Sequence, residues 1–275
     1  MLDEQDRDIL ISLLRDGRSS LRRIGRDTDH APAHISYRFS RLYREGILRG
    51  FTIYINPEIY GLKRALIGLE GPREPPGDYR FNFKCLEHLD IYEIIAEDLE
   101  ALRSKINRLL DKTGGSLFVY LPQQYERIRL SRTSLEILEA LKKNPRESII
   151  ELARKLGINQ RTIKRHLIYM KRKGVFTVIP VIDLNRSGIV LTVYFSKNKA
   201  WALARQLVDC MIWDAITLPI TRSLMKSSQK SPADGDGIII CASKSLEEAK
   251  KYTLVAKAID RDCWPMIIYE YSIKA

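Results

Sequence analysis

Residues 2–50 read LDEQDRDILISLLRDGRSSLRRIGRDTDHAPAHISYRFSRLYREGILRG, and residues 130–178 read LSRTSLEILEALKKNPRESIIELARKLGINQRTIKRHLIYMKRKGVFTV. They are one pattern written twice, 128 positions apart. Ile9, Leu10 and Leu13 recur as Ile137, Leu138 and Leu141; Arg18, Ser20 and Arg26 as Arg146, Ser148 and Arg154; Ile35, Arg44 and Gly46 as Ile163, Arg172 and Gly174. A repeat of this length is a whole folding unit, duplicated.

Each copy reads as three short helices. In the first, Ile9, Leu10, Leu13 and Leu14 make an apolar stripe at helical spacing, so a helix runs from about Leu2 to Arg15. Asp3, Asp6 and Asp8 suit the positive end of its dipole. Ser20 caps a second helix to about Asp27, and a third carries Ile35, Phe39 and Leu42 inward to a glycine stop at Gly46. In the second copy Ser148-Ile149-Ile150-Glu151 is a capping box, Gly157 makes the turn, and the third helix runs from about Gln160 to Lys173 with Ile163, Leu167 and Met170 inward.

At about 100° per residue, the face opposite that inner stripe holds Arg161, Arg165, Ile168 and Arg172, flanked by Thr162 and Tyr169. In copy one the same face holds Ala33, Tyr37, Ser40 and Arg44, beside His34 and Arg41. A third helix of this kind, after a helix–turn–helix, enters the DNA major groove, where arginine pairs bidentately with guanine. The candidate DNA-binding residues are therefore His34, Tyr37, Arg38, Ser40, Arg41 and Arg44 in copy one. In copy two they are Gln160, Arg161, Thr162, Lys164, Arg165, Tyr169, Lys171 and Arg172. Candidate phosphate contacts are Arg18, Ser20, Arg22, Arg146 and Ser148.

The charge balance agrees. The 275-residue chain carries a net charge of +12, which points to an anionic partner. Residues 129–180 hold 13 Lys/Arg against 4 Asp/Glu, whereas residues 1–50 hold 10 against 8. If both copies touch DNA, the second makes more phosphate contacts. No apolar run is long enough to span a bilayer, and the acidic, amphipathic start MLDEQDRDIL is not a secretory signal. A cytoplasmic protein without a membrane partner is expected. Cys85, Cys210, Cys241 and Cys263 are far apart and form no CxxC pair, so they read as reduced, buried thiols. Cys85 and His88 make one isolated CxxH, and no metal site or cofactor is expected.

After each third helix comes a strand–turn–strand: Ile47–Ile55 with a second strand from about Arg64, and Val175–Ile182 with a second strand ending at Ser196. These are either wings or linkers into the next domain. Residues 187–275 then read βαββαβ: strand 189–195, helix 199–209, strands 212–218 and 237–242, helix 246–259 and strand 265–273. That order is ferredoxin-like. Residues 63–128 offer strand 65–69, helix Tyr79–His88, strand 91–96, helix 102–110 and strand 116–121, one central strand short. The expected fold is α+β, with two winged helix–turn–helix domains (1–62 and 129–186). Each is followed by a ferredoxin-like, RAM-type domain (63–128 and 187–275), the first shortened and degenerate.

The segments LDEQDRDILISLLRDGRSS, RRIGRDT and APAHISYRFSRLYREGILRGFTIYINPEIYGL resemble the Lrp/AsnC (feast/famine) family of transcription regulators. The resemblance is strong over 2–62, moderate over 130–195 and topological elsewhere. It implies sequence-specific binding of double-stranded DNA, dimers or larger homo-oligomers paired through the ferredoxin-like sheets, and a small-molecule effector, often an amino acid. The effector loop it suggests is Asp234, Gly235 and Asp236, within Ala233–Gly237. A tandem fusion in one chain departs from the family pattern.

Two other readings share the fold. Siroheme decarboxylases are similar to this family in architecture and use histidine-containing motifs. Here His30, His34 and His166 lie in helix–turn–helix regions, and His88 ends a segment read as a surface helix. No P-loop or nucleophile elbow occurs, so a non-enzyme is expected. The third reading is a partner-binding regulator with one active DNA head, the weakly charged copy one having lost the function.

Overall fold

The computed structural model describes residues 2–70, 79–113, 118–121, 128–196, 199–207, 210–212, 218–219 and 237–274. The chain divides into two compact units, one of residues 1–56 with 128–188, the other of 57–127 with 189–274. Each unit collects one part from each half of the sequence.

The first unit holds both repeats. Copy one folds as α1 (Glu4–Arg15), α2 (Leu21–Asp27), α3 (Pro32–Arg44) and strand β1 (Leu48–Ile55). Copy two folds as α5 (Arg132–Lys143), α6 (Ile149–Leu156), α7 (Gln160–Arg172), β6 (Phe176–Ile182) and a short α8 (Leu184–Ser187). The stripes face the core as their spacing requires: Ile9, Leu10, Leu13, Ile35 and Leu42 are fully buried, as are Ile137, Leu141, Leu152, Ile163 and Met170. Truncating any of them to alanine would cost about 2–5 kcal/mol. Local signals set the ends. Asp3 and Asp6 form a capping box on α1, Ser20 caps α2, and Ser148 with Glu151 boxes α6. Gly46, Gly157 and Gly174 take the left-handed conformation that stops α3, α6 and α7.

The strands after the third helices are not hairpin wings. β1 pairs antiparallel with β6, the equivalent strand of the other copy. Phe51 lies opposite Pro180, and Thr52 opposite Ile179. Phe51 is equivalent to Ile179 and Thr52 to Pro180, so exchanging the copies maps the ribbon onto itself. This register holds over residues 50–55 and 176–181 and slips by one residue at the irregularity between Leu48 and Gly50. Asn56 donates its N–H to the Val175 carbonyl (3.0 Å), whereas at the other end Asp183, not Leu184, donates to that of Ile47 (2.9 Å). β1 packs against α5, and β6 against α1. There a Cβ on Gly17 would come within 2.2 Å of the Val178 carbonyl oxygen. No side chain fits, and glycine is the residue that lets α1 and β6 meet.

Among the described residues, the second unit is built on one nine-stranded sheet. Its strands are β2 (Lys63–Glu70), β3 (Phe81–Cys85), β4 (Leu89–Ala96), β5 (Phe118–Tyr120), β7 (Val190–Ser196), β8 (Met211–Ile212), β9 (Leu218–Pro219), β10 (Gly237–Ser243) and β11 (Trp264–Ile273). The order across the sheet is β5-β2-β4-β3-β11-β7-β10-β8-β9. The helices are α4 (Leu99–Thr113), α9 (Ala200–Gln206) and α10 (Leu246–Ile259). The later half, with β11-β7-β10-β8 in line, keeps the ferredoxin-like order read from its sequence, except that the expected single strand 212–218 is two short strands, β8 and β9, paired antiparallel. The earlier half has the same strand order, β5-β2-β4-β3, and joins the later one edge to edge through β3 and β11.

Two expectations are corrected here. Tyr79–His88 is not a helix and no central strand is missing, because β3 occupies the place. Phe81, Phe83 and Cys85 alternate at strand period and are all buried. His88, at φ +62°, closes the turn into β4. The four cysteines are not all thiols either. Cys210 and Cys241 form a disulfide, with Cα atoms 4.4 Å apart, because the pairing of β8 with β10 sets them opposite one another. Cys85 and Cys263 are free and buried, and burial pushes the Cys263 thiol up to about 12. Among the described residues no helix is long and apolar enough to cross a membrane.

Candidate nucleic-acid interface

The third helix of copy two is mounted by its inner stripe and its caps. Asn159 accepts the Arg161 N–H (2.8 Å) and starts α7. Ile163, Leu167 and Met170 bury one face. The opposite face carries Gln160, Arg161, Lys164, Arg165, Ile168, Tyr169 and Arg172, all exposed, with Thr162 half-buried at its border. Among the described residues no carboxylate lies within ion-pair distance of Arg161, Lys164, Arg165 or Arg172. Four cations thus share one solvent-facing surface about three turns long. Lys171 lies off this face and pairs with Asp16 of copy one (2.6 Å).

The third helix of copy one differs. Pro32 opens it, and His34, Tyr37, Ser40 and Arg44 are exposed. Arg38 turns back onto α1, 2.7 Å from Asp3 and 3.0 Å from Asp6. Arg41 also pairs with Asp6, and with Glu45 at 3.8 Å. The Asp6 side chain is fully buried, so its charge is tolerable only because two guanidinium groups and the Asp3 N–H meet it. Burial works against the Asp3 charge, but hydrogen bonds from Arg38 and from the Asp6 N–H outweigh it and hold that carboxyl below its usual range. In copy two the four positions read Ser131, Ser134, His166 and Tyr169. The ionic lock is replaced there by neutral hydrogen bonds, between Ser134 Oγ and His166 Nδ1 at 2.9 Å and between the Ser131 and Ser134 hydroxyls at 3.2 Å.

The arginines of the two turns have partners of another kind than phosphate. Arg18 donates to the carbonyls of Pro145 (2.6 Å) and Glu147 (2.7 Å). Arg146 donates to those of Gly17 and Ser19, both at 2.9 Å. These residues are equivalents of one another, so the two clamps are reciprocal, like the strand pair. Arg146 also lies over the rings of Phe51 (4.5 Å) and Phe39 (5.4 Å). Burial draws both guanidinium pKa values down. Arg22 is exposed, whereas the Ser20 and Ser148 hydroxyls are occupied as helix caps. Periodicity alone finds the exposed face of α7. It does not find Asp3, Asp6 and Asp16 as partners of basic side chains, because those contacts cross between elements.

The second unit holds a cleft of about 190 Å³ lined by Glu58, Lys63, Arg64, Leu99, Leu102 and Arg103, with Leu121 at its edge. Its buried Arg64 is met by Glu58 and Glu93, each at 3.2 Å. Asp234, Gly235 and Asp236, the suggested effector loop, lie outside the described residues.

Residues 2–49 and 130–176 both match the family model for winged helix-turn-helix DNA-binding domains. The chain is 42% identical over 60 residues to the HTH-type transcriptional regulator FL11 of Pyrococcus abyssi, covering 22% of this chain and 40% of that protein. It is 39% identical over 70 residues to an uncharacterized HTH-type transcriptional regulator of Pyrococcus horikoshii, covering 25% and 47%. The chain thus spans less than half the length of these curated relatives. Among solved structures, the siroheme decarboxylase NirDL aligns at 12% identity over 98% of this chain and 92% of that one, with a TM-score of 0.43. An AsnC family transcriptional regulator from Agrobacterium tumefaciens aligns at 14% identity over 48% and 95%, with a TM-score of 0.30. At these scores the structural likeness carries no functional weight.

Proposed function

We propose that this chain, a protein of the Lrp/AsnC type with two winged helix–turn–helix domains, is a transcription regulator that binds double-stranded DNA through α3 and α7. The observation that carries the reading is the α7 face, where Arg161, Lys164, Arg165 and Arg172 stand exposed with no carboxylate in ion-pair distance among the described residues. Charges spaced along a helix in this way are costly to leave unpaired at low salt and match a phosphate backbone. In the bound state Gln160, Arg161, Thr162, Lys164 and Arg165, in the N-terminal half, face base edges. Tyr169 and Arg172 lie toward the backbone. On copy one His34, Tyr37, Ser40 and Arg44 do the corresponding work, with Arg22 near the phosphates. Arg38 and Arg41 act chiefly on α1.

One chain presents both heads as a covalent pseudo-dimer. Homo-oligomers formed through the ferredoxin-like domains would add further heads, and light scattering of the intact chain measures this. A small-molecule effector is part of the same reading, without an assigned pocket. The test is fluorescence anisotropy of the full chain on duplex DNA across a salt series. Affinity is expected to fall steeply with salt, and the Arg161→Glu/Arg165→Glu variant to lose binding while keeping its far-UV spectrum. Affinity that ignores salt, or a variant that binds as well as the parent, would overturn the proposal.

A further inference from the structure

The copies share a backbone plan, yet their groove-facing surfaces differ in chemistry. Position by position, Ala33, Ser36, Tyr37, Ser40 and Arg44 of α3 correspond to Arg161, Lys164, Arg165, Ile168 and Arg172 of α7. All ten are exposed. The first set carries one charge and the second carries four. The difference is deepened by Arg38 and Arg41, which could have charged α3 but are drawn onto Asp3 and Asp6. What α3 offers instead is a phenol, 64% exposed at Tyr37, with hydroxyls at Ser36 and Ser40 and the His34 imidazole.

The reciprocal clamps of Arg18 and Arg146 and the β1–β6 ribbon join the two heads within one unit. Related heads made from identical chains select a palindrome, because each half-site meets the same side chains. Here the scaffold keeps the two-fold relation while the reading surfaces break it.

We propose that α3 and α7 read unlike half-sites, so that the preferred target is a non-palindromic duplex. The α7 half is held through phosphates and guanine edges, since arginine and lysine bond O6 and N7. The α3 half is read by the neutral hydrogen-bonding and apolar groups of Tyr37, Ser40 and His34 and contributes little to the salt dependence. This rests on the DNA-binding reading above.

The test is selection of bound sequences from a random duplex library by the full chain, followed by affinity and salt-slope measurements on the selected site. The expected motif has two dissimilar halves. Lys164→Ala/Arg165→Ala is expected to erase information in one half, weaken binding about tenfold or more and lower the salt slope, because two cations leave the DNA surface. Tyr37→Ala/Ser40→Ala is expected to relax the other half and leave the slope unchanged. Thermal melting of each variant checks that these exposed positions leave the fold intact. A palindromic motif, equal slope changes from the two variants, or a motif untouched by Tyr37→Ala/Ser40→Ala would overturn the inference while leaving DNA binding in place. Absence of any salt-dependent binding would remove the function itself, a distinguishable result.

Discussion

Asp6 illustrates how far a residue's role can depart from its place in a sequence pattern. In the first turn of a helix an aspartate serves the dipole, and Asp3, Asp6 and Asp8 all fit that description. The structure adds that Asp6 is completely buried and bound by Arg38 and Arg41, residues 32 and 35 positions away. Nothing in local spacing marks such a contact, and so both arginines read as DNA ligands on the helical wheel. Removing one partner of a buried ion group leaves the others uncompensated. Asp6→Asn should therefore cost about 3–5 kcal/mol in urea unfolding, and Ser134→Ala, at the equivalent place in copy two, about 1 kcal/mol. Similar small losses at both positions would show that the ionic lock is not structural. Asp3 supplies a pH test of the same group. Its folded-state pKa lies below the ordinary value of 3.8, so its charge stabilises the fold above that pH, and the benefit fades as pH falls through the lowered value. Asp3→Asn keeps the cap and removes the charge. Its stability deficit at neutral pH should shrink on acidification, as followed by circular dichroism.

At the level of elements, helices with a strong apolar stripe were legible: α1, α5 and α7 lie where their leucines and isoleucines place them. The strand β3 was less so, because YRFNFKCLEHL mixes a short alternating run with a leucine-rich tail. Only the buried Phe81, Phe83 and Cys85 decide between the two periods. Strand partners were least legible, since alternation tells which face is covered and not by what. The Cys210–Cys241 disulfide is a case in point. Its cysteines are 31 residues apart and meet only because Met211 and Ile212 pair with Ile240 and Ile239. Closing a loop of that length should stabilise the unit by about 2–4 kcal/mol through the unfolded state. Thiol titration of the denatured, unreduced protein should find two reactive cysteines, Cys85 and Cys263. Reduction, or Cys210→Ser/Cys241→Ser, should lower the unfolding midpoint. Four free thiols in protein purified without reductant would count against the bond.

For the whole molecule, the duplication was visible in the sequence, but the way each duplicated part completes its twin was not. β1 buries Ile53, Tyr54 and Ile55 in succession, more than a one-sided hairpin covers, because β6 and α5 lie against it. A lone copy would leave that edge open and the carbonyl ligands of Arg18 missing. Unpaired apolar strand edges seek partners, and the β1–β6 ribbon has its centre of exchange between Phe51 and Thr52. Two β1 strands could therefore pair in nearly the same register. The prediction is that a fragment of residues 1–62 is a dimer at micromolar concentration, with Arg18 reaching the Gly17 and Ser19 carbonyls of its partner as Arg146 does here. Arg18→Ala should weaken it, by about 1.5–3 kcal/mol for each charge-assisted hydrogen bond lost. Sedimentation equilibrium of fragment and variant reads both. A folded monomer, with helical signal intact and mass that of one chain, would mean that a single copy is complete and that its pairing in the full chain follows from covalent linkage alone.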